Sequence, residues 1–442
     1  MRPEISVVIP THNRCPQVTL ALQSLARQTV APERYEVVAV ADGCRDDTLA
    51  ALASLTVPYC LTVIEQPGRG AAAARNQGAA AATSSLLLFL DDDMEAEPGL
   101  IEAHLDAHAR HPDGVVLGRF PILDPGLRAS VFEVATKAWW DQQFAARGRA
   151  EHRYTFRDFC TGNVSLPKRL FDAAGGFDEA FSPRAAGEDY DLGIRLLQRG
   201  TRFRYVPEAA SIHHDGRTAS RALARARQEG FGHVLLVRKH PELFDQLWLE
   251  QLSQVSSCRL LRPLVRCAWR WPGIFAPMVW PLRIVHRTAQ ATGAVEWLRW
   301  THDLLHVYHY WQGAREATGS FAAWEELHSA ARDRVPDFRE VELDLAVDLP
   351  RLETILAQTP TDAAVLKYRE WTLGRIDPPP GAEALRPIHV HAILVHHYAP
   401  AFLALQCLDG MLQPAPAPPR ATCKRLEGHR DACVDRELSL TY

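Results

Sequence analysis

No surplus of basic charge marks this chain. Its 442 residues hold 49 Lys and Arg against 53 Asp and Glu, a net charge of −4. Nucleic-acid binding needs a basic field that neutralises phosphate, so no nucleic-acid partner is expected. Cysteine is sparse and irregularly spaced, with nine in the whole chain. That usage argues against a disulfide framework and fits reduced thiols in the cytoplasm. An uninterrupted apolar run of about 18 residues is also missing, so a membrane-spanning helix is not expected. The stretch from Met1 to Ile9 reads as a strand rather than a signal peptide, because Pro10 cuts its apolar run short. The length exceeds one ordinary core, which implies two domains or one large domain with an extension.

What is present is alternation. Ile5 to Ile9, Tyr35 to Val40, Tyr59 to Ile64 and Leu86 to Leu90 are short apolar runs that read as strands. Val18 to Gln28, Thr48 to Leu55 and Ala71 to Ala82 lie between them with helical spacing. Strands that are apolar throughout are covered on both faces. The alternation predicts an α/β fold, a mixed but mostly parallel sheet flanked by helices. Ligands of such sheets bind beyond the carboxyl ends of strands. Polar residues after Ile9, Val40 and Leu90 are therefore the informative ones.

Further strands are expected at Val115 to Phe120, Phe159 to Leu166 and Phe203 to Val206, with a short one ending at Ser211 to His214. Helices are expected at Ala129 to Phe144, Lys168 to Ala174, Asp189 to Gln198 and Arg221 to Lys239. The character changes near residue 240. Residues 241–329 form an Arg- and Trp-rich helical segment, and 330–413 a small α+β module with strands at Val341 to Val347 and Pro387 to Val395. Residues 414–442 begin with a proline-rich linker and read as a disordered tail. Cys423, His429 and Cys433 are too scattered there to argue for zinc.

Several constellations could carry chemistry. Asp91-Asp92-Asp93 follows the strand Leu86 to Leu90 directly. Adjacent carboxylates repel unless screened, and a hard divalent cation screens them while gripping a diphosphate. A solvated acidic loop is the plain alternative. Asp42 ends its strand, where it could accept from a nucleoside or simply shape an Asp-Gly turn. Thr11 and Asn13 could face a ligand or cap a helix. Arg75, in an Ala-rich helix, is placed for phosphate or for a carboxylate at a metal site. Glu188 and Asp189 open a helix, so they could complement its dipole or supply a general base. His213 and His214 end a strand and could ligate a metal or lie on the surface.

Taken in order, these pieces resemble family 2 glycosyltransferases of the GT-A fold. The matching stretches are Val7 to Arg14, Val38 to Gly43, Ala74 to Gly78, Phe89 to Asp93, Gly175 to Glu179 and Gly187 to Leu192. They span about the first 240 residues and together are far more specific than any one alone. The resemblance implies an inverting transfer of sugar from a nucleotide-diphosphate donor to a glycan, lipid-linked or small-molecule acceptor, using Mn²⁺ or Mg²⁺. It implies that Pro10, Thr11, Asn13, Arg14, Asp42, Arg75, Asp91 and Asp92 hold the nucleotide sugar. Asp93, Asp91 and His213 would hold the metal, with His214 as the alternative histidine. Asp189 would be the catalytic base, supported by Glu188 or Asp191. The family usually has two aspartates where this chain has Ala41-Asp42, which puts the base pocket in doubt. A nucleotidyltransferase would show a Gly-rich phosphate loop after the first strand, where this chain has Pro10 to Arg14. A non-catalytic carbohydrate-binding relative would not need both acidic motifs.

From Cys258 to Arg287 six arginines and three tryptophans occur without one acidic residue. That composition fits an anionic membrane surface, such as the inner face of a membrane. The other reading is an amphipathic face packed on the rest of the chain.

Overall fold

The computed structural model describes residues 2–124, 126, 131–181, 185–215, 219–333 and 338–412. The expected tail at 414–442, with Cys423, His429 and Cys433, lies outside the described residues, as does the expected start of the helix at Ala129.

The expected α/β sheet is present. Strands β1 (Ile5–Thr11), β2 (Tyr35–Asp42), β3 (Cys60–Gln66) and β4 (Leu86–Leu90) alternate with helices α1 (Cys15–Leu25), α2 (Thr48–Ser54) and α3 (Ala71–Ala81). The sheet continues with β5 (Met94–Ala96), β6 (Gly114–Arg119), β7 (Asn163–Pro167) and β8 (Arg202–His213). Its order is β3-β2-β1-β4-β7-β6-β8-β5. The β1–β2, β2–β3, β1–β4 and β6–β8 pairs are parallel, while β7 runs antiparallel between β4 and β6. All eight residues of β2 are buried, as strands covered on both faces require. Pro10 does not end β1 as expected. It lies in the strand paired to Val40, beyond the point where pairing to β4 stops at Val8. Proline is tolerated where one side of a strand needs no ladder donor.

Helices α4 (Leu100–Arg110), α5 (Val131–Arg147), α6 (Lys168–Ala173) and α7 (Glu188–Gln198) cover the sheet. The strand expected at Phe159 begins only at Asn163, and the two expected near Phe203 and Ser211 are one strand, β8.

The second half is helical at first. Its members are α8 (Ala219–Lys239), α9 (Leu249–Ser257), α10 (Arg262–Arg270), α11 (Pro272–Phe275), α12 (Val279–Thr292), α13 (Val295–Thr318) and α14 (Phe321–Arg332). Helices α8 and α13 touch backbone to backbone. A Cβ at Gly230 would collide with the Tyr310 carbonyl, and one at Gly313 with the Arg227 carbonyl. Leu236, Val237, Trp269, Tyr310 and Trp324 form the core of this layer.

A three-stranded sheet, β9 (Glu340–Asp344), β10 (Ala363–Tyr368) and β11 (Trp371–Ile376), follows with α15 (Leu352–Gln358). The strand expected at Pro387 to Val395 is instead α16 (Pro387–Ile393), continuing through a wide turn at Leu394–Tyr398 into α17 (Ala399–Leu412). Pro387 suits a first helical turn, and Val390, Leu394 and Phe402 bury one face against the small sheet. By length and composition, Pro387–Gly410 is long and apolar enough to cross a membrane, which corrects the expectation that no such helix occurs. Histidines interrupt the apolar run and hide it from a simple count. The small module grips the segment before β7: Arg153 donates to Glu383 O (3.0 Å) and Asp362 O (2.8 Å), and Phe156 N donates to Gly381 O (3.0 Å).

Candidate functional site

Parallel strands deliver their carboxyl ends to one edge, and the acidic motifs meet there. Asp91, Asp92 and Asp93 leave β4 together. Asp92 accepts hydrogen bonds from Thr11 Oγ1 (2.8 Å) and Arg14 Nη1 (2.8 Å), and Arg14 also donates to Asp93 Oδ2 (2.7 Å). Arg14 thus screens two of the three carboxylates. Burial pushes Asp92 up to about 6 despite Arg14. Burial acts the same way on Asp93, but His213 and Arg14 outweigh it and hold that carboxyl at about 2.

His213, at the end of β8, sets its Nε2 3.5 Å from Asp93 Oδ1. Its Nδ1 is buried without a partner. His214 is committed elsewhere, with its Nε2 2.8 Å from Glu95 and its backbone N donating to Asp93 O. The geometry therefore puts His213, not His214, beside the aspartates.

Arg75 joins the two acidic motifs. From α3 its buried guanidinium donates to Asp91 Oδ1 (2.8 Å) and to Glu188 Oε1 (3.0 Å). Desolvation alone would disfavour the charged guanidinium, but Asp91 and Glu188 over-compensate and raise its proton affinity. Next to Glu188, Asp189 is held well above the ordinary carboxylate range, first by desolvation and then by the Glu188 charge. Desolvation pushes Glu188 the same way, yet Arg75 and Arg225 overcome it and keep Glu188 low. The pair is split: one carboxylate is pinned as an anion and its neighbour is poised to take a proton. Asp191 does not join them. It is buried and held by Arg195 (2.6 Å), Lys239 (2.6 Å) and His240 (3.1 Å), so of the two supports expected for Asp189 only Glu188 is adjacent to the site.

Asp42 is already occupied. Its Oδ1 accepts from Gln66 Nε2 (2.7 Å) and Arg69 N (2.6 Å), and its Oδ2 from Gly70 N (2.7 Å). The loops after β2 and β3 meet so closely that a Cβ at Gly43 (φ +64°) would lie 2.7 Å from Gly68 Cα. Asn13 is left-handed (φ 52°), and its Oδ1 accepts from Arg45 N (2.7 Å). Both side chains are committed to these internal bonds, and neither lines the cavity that Asp91 and Asp189 share.

Arg75, Asp91, Glu188, Asp189 and His213 line one cavity of about 1680 Å³. Sequence reasoning missed its opposite wall. Trp248, His286, His302 and Asp303 come from the second half, and Arg225 from α8. On the near side Trp139 and Trp140 of α5 line it as a pair, ring centroids 5.0 Å apart. No linear motif signals these residues, because helices present them at scattered positions. Among the described residues, no group of three or more His, Cys, Asp or Glu side chains stands ready to hold a metal ion.

Residues 6–175 match the family model described as glycosyl transferase family 2. The match covers more than a third of the chain, and the sheet is mixed and mostly parallel, as expected. The chain is similar to validoxylamine A glucosyltransferase from Streptomyces hygroscopicus subsp. limoneus, with 35% identity over 276 residues, 56% of this chain and 59% of that protein. It is also similar to chondroitin synthase from Escherichia coli, with 24% identity over 295 residues, 60% of this chain and 43% of that protein. The chain thus spans well under two thirds of the length of these curated relatives. Among solved structures it resembles a mannosyltransferase from Pyrobaculum calidifontis in complex with GDP-Man and Mn²⁺, at 17% identity and TM-score 0.47, covering 72% of this chain and 87% of that one.

Proposed function

We propose that the chain transfers a sugar from a nucleotide-diphosphate donor to an acceptor hydroxyl with inversion, using Asp189 as the base. The observation that carries this reading is the Arg75 bridge, which ties Asp91 of the triple aspartate to Glu188, with Asp91, Glu188 and Asp189 lining one cavity. The match of residues 6–175 to the glycosyl transferase family 2 model supports it.

In this reading Thr11 and Arg14 fix the aspartate loop on the donor side. Asp93 and His213 offer an oxygen and a nitrogen donor close together, and the orphaned Nδ1 of His213 marks a side chain not fully served by the protein. With Asp91 added once Arg75 yields, these side chains would hold a divalent cation of the Mn²⁺ or Mg²⁺ type, although as they stand they form no ready group of three ligands. When bound, such a cation would neutralise the departing diphosphate. Asp189 takes the proton from the acceptor hydroxyl as that oxygen attacks the anomeric carbon. Glu188, kept ionised by Arg75, raises the proton affinity of Asp189 and so sharpens it as a base. One base and one displacement give inversion. Asp189→Asn tests this: the variant should lose transfer and keep donor binding, and unchanged turnover would remove the assignment.

The division of labour proposed here gives transfer to residues 1–240. Helices within 241–329 complete the acceptor wall, and residues 330–413 form an accessory module that braces the loop before β7. The region after 413 is assigned no role.

A second reading concerns the Arg- and Trp-rich segment. Trp271, Trp280, Trp297 and Trp300 are each more than half exposed. Exposed tryptophans beside arginines suit an anionic membrane surface. Packing accounts for part of the segment, since Arg262 and Arg266 both donate to Glu325. We assign the exposed tryptophan face to peripheral membrane contact.

A further inference from the structure

Beside the Asp189 cavity lies a second one of about 1020 Å³ among α8, α12 and α13. Arg227, Arg283, Arg287 and His309 line it, facing Glu316. Glu316 is spoken for, because Arg227 donates to both of its oxygens. Arg283 and Arg287 stand one turn apart on α12. The contact seen for Arg283 is to a neutral-type partner, His309 Nε2 at 3.5 Å. His309 is pushed down to about 4, first by burial and then by the charges of Arg283 and Arg227. This corner of the molecule thus carries more cation than anion, and a bound anion would relieve the repulsion.

The two cavities share two lining residues of α12, His286 and Gln290. His286 is 6% exposed. Thr301 donates its hydroxyl to Trp297 O (2.6 Å), so His286 Nδ1 donates to Thr301 Oγ1 (3.0 Å). That leaves Nε2 as an acceptor, and it is buried with no partner. An acceptor nitrogen at the junction calls for a ligand hydroxyl. A basic chamber next to it calls for a phosphate.

We propose that the second cavity seats a phosphate or pyrophosphate carried by the acceptor, with Arg283 and Arg287 on the anion and His286 Nε2 on an acceptor hydroxyl. This rests on the reading of the first cavity as the transfer site and names the acceptor class for it: a phosphate-bearing sugar. The phosphate chemistry is shared by a lipid-linked acceptor and a free sugar phosphate. Trp280 and Ile284, exposed on the same helix, would suit the lipid-linked form.

Calorimetric titration of the full chain with inorganic pyrophosphate tests the site itself. Wild type, Asp93→Ala and the double variant Arg283→Ala/Arg287→Ala are compared in EDTA. Binding should persist in Asp93→Ala and weaken by about tenfold or more in the arginine variant, since charge-assisted bonds to phosphate are lost. Arg283→Lys/Arg287→Lys should bind between the two, which separates lost charge from lost folding. Binding lost in Asp93→Ala but kept in the arginine variant would place the anion at the aspartates and overturn the proposal. Acceptors are then compared as prenyl-pyrophosphate-linked sugar, free sugar 1-phosphate and the bare sugar. The preference for a phosphorylated acceptor should collapse in the arginine variant, and the better of the two phosphorylated forms names the source. No preference in wild type would also overturn the proposal. These outcomes are separate from the fate of Asp189→Asn, which tests the transfer reading alone.

Discussion

Asp91 and Glu188, far apart in the chain, share one guanidinium: Arg75 donates to both, at 2.8 Å and 3.0 Å. The bridge ties the end of β4 to the start of α7. It also sets their charges, because the cation that keeps Glu188 ionised leaves Asp189, already disfavoured as an anion by burial, beside a negative charge.

Removing that cation should cost both activity and stability. Arg75→Ala leaves Asp91 and Glu188 without their shared partner. Breaking a buried pair typically costs about 3–5 kcal/mol, and the partial exposure of Asp91 places this case near the lower end. Denaturant unfolding should show the loss, and Arg75→Lys should recover only part of it because an ammonium cannot fork to both carboxylates.

Asp189→Asn should lower kcat by about 10²- to 10⁴-fold, the range of general-base assistance, with donor affinity preserved. The same change should stabilise the fold near neutral pH. A carboxyl whose folded proton affinity is raised contributes stability at low pH that is lost as pH rises through its folded value. An amide removes that loss. Thermal unfolding of wild type and variant across pH checks the sign: the variant's advantage should appear only as pH rises.

The pH profile of turnover follows from the same shift. Asp189 works as a base only when deprotonated, so kcat should fall on the acid side with a midpoint well above an ordinary aspartate, whose value is about 3.9. A limb at the ordinary value would mean that Asp189 is not the titrating group.

Asp93→Ala should abolish the Mn²⁺-dependent part of donor binding. Isothermal calorimetry with a nucleotide-diphosphate sugar, with and without Mn²⁺, reads this directly. His213→Ala should weaken the same dependence less, because it removes one of the proposed ligands and leaves both aspartates.

Trp280→Ala with Trp271→Ala should reduce flotation of the chain with anionic liposomes. Wild type failing to float would remove the membrane reading.

Much of the first half was legible because its strands are largely apolar and its motifs sit directly at their ends. Helix α4 was not, since its buried face includes His104 and His108, which pair with Asn163 and Ser165 instead of reading as apolar. The run Pro387 to Val395 was misread as a strand because a short apolar stretch has no decisive period; the burial of Val390 and Leu394 on one face settles it. Arg75 is one polar residue of an Ala-rich helix in sequence and is central in space, since its two carboxylate partners are brought together only by folding. The opposite wall of the cavity was invisible for the same reason: Trp248 comes from the turn before α9 and His286 and Asp303 from helices, none of them in a motif.

The central claim is that these converging carboxylates hold and activate a nucleotide-diphosphate sugar. Its most direct test is release of nucleoside diphosphate from a panel of UDP-, GDP- and dTDP-sugars, with Mn²⁺ or Mg²⁺, by wild type and Asp189→Asn. The wild type should show metal-dependent release from at least one donor, and the variant near-complete loss. Equal release by both proteins, or none from any donor, would contradict it.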